Sequence, residues 1–208
     1  MLGGRAAPVG NDDRRFLITR AEHDPERLAQ TIGAGHVPGA INIGLSGQYA
    51  SLAATVIGLG RPILIVAEDD EHVQESILRL ARVGIETVIG YLEGGMLAWE
   101  KAGLAAQTLP QISVHELRET FAKWQVVDVR RPGEWAAGHI AGAAHHCLDH
   151  LSKSLETLDP QAPTAVHCKS GYRSSIAAGL LQARGFSEVS NVVGGLDAWI
   201  ASGFPAVQ

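Results

Sequence analysis

The stretch His167-Cys168-Lys169-Ser170-Gly171-Tyr172-Arg173-Ser174-Ser175 sets one thiol among two cations, several hydroxyls and a glycine. An apolar lead-in, Thr164-Ala165-Val166, and a long Ala/Leu-rich exit, Ile176 to Ala183, predict strand, tight loop and helix. The cysteine then stands where the strand ends, and Ser174 or Ser175, both good caps, marks the predicted helix start. Backbone N–H groups that curl inward at the positive end of a helix bind anions and favour a thiolate. Lys169 and Arg173 add positive charge. The chemistry this implies is nucleophilic attack by sulfur inside an anion-binding cup. A cysteine at a strand end is otherwise a small core hydrophobe, but a polar, glycine-containing sequence that ends on a cation is not core sequence.

The elements that must position this loop come from an internal repeat. Gly35-His36-Val37-Pro38-Gly39-Ala40 recurs as Gly138-His139-Ile140-Ala141-Gly142-Ala143, and Gly94-Gly95-Met96-Leu97-Ala98-Trp99 recurs as Gly194-Gly195-Leu196-Asp197-Ala198-Trp199. Two matched pairs in the same order indicate two copies of one α/β domain, residues 1–106 and 107–208. In the first copy, strands are predicted at Phe16–Thr19, Ala40–Ile43, Ile63–Val66 and Thr87–Ile89, with a helix or inserted loop over Asp24–Thr31. A helix over Val73–Arg82 would bury Val73, Ile77, Leu78 and Ala81, and another covers Met96–Lys101. In the second copy, Ser113 and Glu116 form a capping box for a helix that runs to Lys123. Strands follow at Val126–Val129, Ala165–His167 and Val189–Val192. Helical segments are expected at Glu134–Ala137, His150–Leu158, Ser174–Arg184 and Ala198–Ala201. Alternating strands and helices imply a mainly parallel sheet covered on both faces, with ligands at the strands' carboxyl ends.

These residues resemble the rhodanese (thiosulfate sulfurtransferase) family over nearly the whole chain. The resemblance rests on Val127-Asp128-Val129-Arg130, Glu134-Trp135, Gly138-His139-Ile140, the Cys168-to-Arg173 loop, and Gly194-Gly195 with Trp199. It implies a five-stranded sheet in each copy and a Cys168 that carries a persulfide. Ala67 precedes Gly84 by the same seventeen residues that separate Cys168 from Gly185, so Ala67 stands at the cysteine position of copy one. Glu68-Asp69-Asp70-Glu71-His72 replaces the cationic loop there, which predicts a solvated acidic loop in a catalytically dead copy. A docking or regulatory surface is the sharper reading of that run. A dead copy before a live one also resembles the C-terminal half of metallo-β-lactamase/rhodanese fusions, so a persulfide dioxygenase domain or protein is a possible partner. No His-x-His-x-Asp-His motif is present.

The expected reaction moves a sulfane sulfur from a small anionic donor, thiosulfate or a low-molecular-weight persulfide, through Cys168 to a thiol or cyanide. Lys169, Ser170, Gly171, Tyr172 and Arg173 are the substrate-binding candidates; Asp128, Arg130 and His139 are expected to support the loop, with Arg130 paired to Glu134. His145, His146, Cys147, Asp149 and His150 match no zinc spacing, so no metal and no cofactor is expected. Cys147 is read as a bystander, with a resolving thiol as the alternative. One rival is a Cys-dependent phosphatase, but only four residues separate Cys168 from Arg173, one fewer than a phosphate cradle uses. The other is a sulfur-relay or persulfide-binding module with little free turnover.

The 208 residues are 46% hydrophobic and 19% charged, with a net charge of −5, which suits a packed enzyme and argues against a nucleic-acid partner. Two cysteines make no disulfide scaffold. The absence of a secretory h-region and of any apolar run near the ~20 residues of a membrane span leads to an expectation of a cytoplasmic protein.

Overall fold

The structure is a computed structural model and describes residues 15–20, 35–45 and 48–208. These divide into two compact units, one containing His36–Gln107 and the other Thr108–Gln208.

The first unit runs β1 (Arg15–Arg20), β2 (Ile41–Gly44), α1 (Tyr49–Ile57), β3 (Ile63–Val66), α2 (Asp70–Ala81), β4 (Val88–Tyr91) and α3 (Gly95–Lys101). Its described strands form one parallel sheet in the order β2-β1-β3-β4. Ile63, Ile65 and Val66 are buried on β3, as an unbroken apolar run in a sheet covered on both faces requires. The segment Asp24–Thr31 lies outside the described residues. Two helices differ from expectation. No helix is predicted over α1, although its Tyr49, Leu52, Ala53 and Ile57 form a buried stripe. The α2 helix buries Val73, Ser76 and Leu80, leaving Leu78 57% exposed. Ser76 faces inward because its hydroxyl hydrogen-bonds the Tyr49 phenol on α1, a polar contact that an apolar-stripe count overlooks.

The second unit runs β5 (Gln111–Ile112), α4 (Val114–Thr120), β6 (Gln125–Asp128), α5 (Pro132–Ala137), β7 (Ala144–His145), β8 (Thr164–His167), α6 (Tyr172–Ala183), β9 (Val189–Val192) and α7 (Gly195–Ala201). Its five strands pair in parallel in the order β5-β9-β8-β6-β7. The Ser113 hydroxyl caps α4 by accepting the Glu116 N–H at 3.1 Å. The predicted helix over 150–158 is instead two 3-10 turns, Leu148–Lys153 and Leu155–Thr157. There the Ser154 and Thr157 hydroxyls bond back to the carbonyls of Leu151 and Ser154, which competes with α-helical pairing. Trp199, 1% exposed, packs with Leu117, Val126, Ile140 and Val192.

The repeated motifs have matching structural jobs. Trp99 and Trp199 each donate an indole N–H, at 2.9 Å, to the carbonyl of the residue six positions on, Ala105 and Pro205. His36 and His139 each bridge the tail of their own unit, donating at 2.8 Å to Gln107 O and Val207 O. The Gly-His and Gly-Gly…Trp motifs are thus where each unit ties down its C-terminal end.

Candidate active site

Cys168 follows β8 directly, at the carboxyl end of a sheet-interior strand, and is only 1% exposed. Helix α6 begins at Tyr172, earlier than the predicted Ser174 or Ser175, because Gly171 caps it with φ +105°, a conformation that favours glycine. The two serines therefore lie within the first turn. The Gly171 N–H donates to Cys168 Sγ at 3.2 Å. The Ser174 hydroxyl lies 3.5 Å from Sγ and 3.1 Å from Gly171 O, and its single proton serves one of them. The sulfur thus sits against the N-terminus of a twelve-residue helix, with a backbone N–H aimed at it.

The loop's carbonyl groups are drawn elsewhere. Leu196 N–H donates to Cys168 O and Asp197 N–H to Lys169 O, both at 2.9 Å. These donors come from the first turn of α7, which approaches only because Gly195 has no side chain. A Cβ there would lie 2.4 Å from Cys168 O, at φ +53°. His167 Nδ1 is 3.3 Å from the same oxygen. No such role is predicted from sequence for Gly195, Leu196 or Asp197. The repeat of the Gly-Gly pair was the available signal.

The two arginines of the site are paired with carboxylates. Arg173 grips Glu134 in a bidentate ion pair, NH1–Oε2 2.6 Å and NH2–Oε1 2.7 Å. That pair holds the Glu134 carboxyl down at about 2, chiefly through the hydrogen bonds from Arg173. Arg130 pairs with Asp128, not Glu134 as expected: NH2 donates to Oδ2 at 2.6 Å and Nε to both oxygens. A short Asp128–Arg130 loop with its carboxylate fully buried makes this the nearest partner, and Arg130 also donates to the carbonyls of Glu134 and Gly138. His167 Nε2 is 3.6 Å from Asp128 Oδ2 and, among the described residues, has no hydrogen-bond partner. Burial, the largest influence, pushes the His167 ring below its usual pKa. His139 stacks on Trp135, with ring centroids 3.7 Å apart, and His145 stacks on the same indole at 4.8 Å. Lys169 is exposed and, among the described residues, forms no ion pair. Ser170 and Tyr172 are half-buried.

His145 Nε2 meets Arg130 O at 2.8 Å and His146 Nδ1 meets Ser154 Oγ at 3.0 Å. Cys147 is a free, half-buried thiol. No group of three or more His, Cys, Asp or Glu side chains among the described residues is placed to hold a metal ion.

The first unit has the same frame around Ala67. A Cβ on Gly95 would lie 2.2 Å from Ala67 O, as one on Gly195 would against Cys168 O, so the two positions correspond in space. The acidic run is a helix start, not the expected loop. Asp69 caps α2 by accepting the His72 N–H at 2.9 Å, and Asp70 and Glu71 fill its first turn, where carboxylates suit the dipole. A cleft of about 560 Å³ opens here, lined by Ala67, Glu68, Asp70, Glu71 and Glu93 among others.

The family description "Rhodanese-like domain" matches residues 22–102 and again 113–202. A protein named thiosulfate sulfurtransferase GlpE from Pseudomonas putida is 43% identical over 81 residues, which is 39% of this chain and 73% of that protein. The GlpE of Pseudomonas aeruginosa is 37% identical over 100 residues, 48% of this chain and 88% of that one. A crystal structure of a rhodanese-related protein from Thermoplasma volcanium is 32% identical with a TM-score of 0.45, covering 47% of this chain and 97% of that one. No helix among the described residues is long and apolar enough to cross a membrane.

Proposed function

The chain belongs to the rhodanese-like domain family, and from that premise we propose that its second unit is a sulfurtransferase working through a Cys168 persulfide, beside a first unit that carries no cysteine. The Cys168 thiolate attacks the outer sulfur of a donor. With thiosulfate, the S–S bond breaks, sulfite leaves with the bonding electron pair, and Cys168 keeps one sulfur as a persulfide anion. A thiol or cyanide then attacks that terminal sulfur and restores the thiolate. The Gly171 N–H and the helix N-terminus stabilise sulfur anions at each stage, while the outward hold on the Cys168 and Lys169 carbonyls keeps acceptor oxygens out of the cup. Lys169 attracts the anionic donor, and Ser170 and Tyr172 flank the entrance.

The observation that carries this reading is the Gly171 N–H donating to a buried Cys168 Sγ at the head of α6. The similarity to proteins named thiosulfate sulfurtransferase supports it. Two features weigh against phosphate-ester hydrolysis: the loop is short, and Arg173, the residue that would grip a phosphate, is held by Glu134. The test is steady-state kinetics with thiosulfate and cyanide. Parallel double-reciprocal lines, signifying ping-pong transfer, are expected. Hydrolysis of p-nitrophenyl phosphate without thiocyanate formation would overturn the reading.

A further inference from the structure

The proposed reading leaves open which donor the cup accepts, and the charges around Cys168 bear on it. Among the described residues, three cations stand near the loop: Lys169, Arg173 and Arg130. Two of them are matched by carboxylates. Asp128 takes Arg130 through three contacts of 3.0 Å or less, and Glu134 takes Arg173 through two of 2.7 Å or less. The guanidinium of Arg173 has both terminal nitrogens on Glu134, so it cannot also present that fork to a donor. Glu134 is itself held by a third donor, the Arg131 N–H at 3.2 Å, and it lies on α5 rather than on the loop. Its side chain is 33% exposed and that of Arg173 19%, so the pair lines the rim and is not sealed in the core. The cations and carboxylates named leave one net positive charge, on Lys169. An ionised Cys168 cancels it.

We infer that Glu134 sets the donor charge this site accepts: by clamping Arg173 beside Cys168, it leaves Lys169 as the loop's unpaired cation and favours singly charged persulfides over the thiosulfate dianion. The inference rests on the sulfurtransferase reading and refines its substrate class. Glu134 acts through Arg173 and is a positioning residue, not a catalytic one. In a persulfide transfer, the donor's S–S bond breaks, the small thiolate leaves with the electron pair, and the Cys168 persulfide forms. The charge balance matches the thiosulfate case with one negative charge fewer on the donor.

The test compares rates of Cys168 persulfide formation from thiosulfate and from 2-hydroxyethyl persulfide. Glu134→Gln frees Arg173 and adds one positive charge. The thiosulfate-to-persulfide rate ratio should rise about tenfold at low salt, the lower end of what a focused charge does to an on-rate. The rise should shrink as salt screens it. The double variant Glu134→Gln/Arg173→Gln restores the charge balance and should return the ratio towards wild type. An unchanged ratio, or both rates falling together in Glu134→Gln, overturns the inference and leaves Glu134 as a scaffold residue. Should Glu134→Gln fail to fold, the salt dependence of Lys169→Gln decides. Measured in Lys169→Gln, which removes the other cation, a thiosulfate rate that no longer falls with salt supports the clamp, and one that still falls steeply overturns it, since that is the signature of a free Arg173. Failure of both donors to load wild-type Cys168 would refute the underlying reading instead.

Discussion

The two units build the same backbone frame and fill it with opposite chemistry. In both, a strand from the middle of a parallel sheet ends at a buried small residue, Ala67 or Cys168, and a double glycine brings a second helix against its carbonyl. In the second unit that approach becomes bonding: Leu196 and Asp197 N–H groups hold the carbonyls of Cys168 and Lys169. In the first, no described backbone bond joins Met96 or Leu97 to Ala67 or Glu68. The helix that follows is capped differently too. Gly171, in the left-handed region, leaves its N–H free to meet a sulfur, whereas Asp69 satisfies an N–H with its own carboxylate. The frame therefore does not make the site. The glycine cap, the outward hold on the carbonyls and the thiol do so together.

The sharpest way to break the comparison is to exchange the side chains at its centre. Cys168→Ser should abolish sulfur loading, a fall of at least about a thousandfold in transfer rate, as loss of a nucleophile does elsewhere. Ala67→Cys added to that variant should restore nothing, because carboxylates line the cleft there and Asp69 occupies the first-turn N–H of His72. Recovery of transfer by Ala67→Cys would mean that the frame alone suffices.

Next in size is the glycine pair. Gly195→Ala and Gly95→Ala each force a Cβ against a carbonyl oxygen at positive φ, and each should destabilise its unit by about 1–3 kcal/mol. Only Gly195→Ala should also slow sulfur transfer. Equal losses of activity in the two variants, measured beside their denaturant midpoints, would remove the distinction between the units.

A smaller effect comes from acid. A buried ring kept neutral, His167 stabilises the fold fully above its unfolded value of 6.5, and that contribution drains away as the pH drops below it. Glu134, held down at about 2 against an ordinary 4.5, contributes fully above 4.5 and loses its contribution as the pH falls towards 2. Amide protection in α6, measured relative to the intrinsic exchange rate at each pH, should accordingly fall in two stages on acidification. A flat response between pH 7 and 5 would contradict the placement of His167. Smallest of all, Asp69→Ala should fray the first turn of α2, seen as faster exchange at the His72 amide, with sulfur transfer unchanged.

Much of this was legible in the residues. The run Thr164 to Ser175 indicated strand, loop and helix with a cysteine at the turn, and the duplicated Gly-His and Gly-Gly…Trp motifs indicated two domains. Three things were not legible. Whether Glu134 takes Arg130 or Arg173 depends on a contact across 39 residues, which spacing along the chain does not encode. Ser76 reads as polar and therefore exposed until its Tyr49 partner is known. The start of α6 was misplaced because serines are common caps, whereas a glycine that points its N–H at a sulfur does the capping here.

The most direct test of the central claim is the intact mass of the protein after exposure to thiosulfate or a small alkyl persulfide, beside Cys168→Ser. A gain of one sulfur atom on the wild type alone, removed by cyanide, is the predicted result. A wild type that gains no sulfur from either donor, or a Cys168→Ser variant that gains it equally, would contradict a persulfide carried on Cys168.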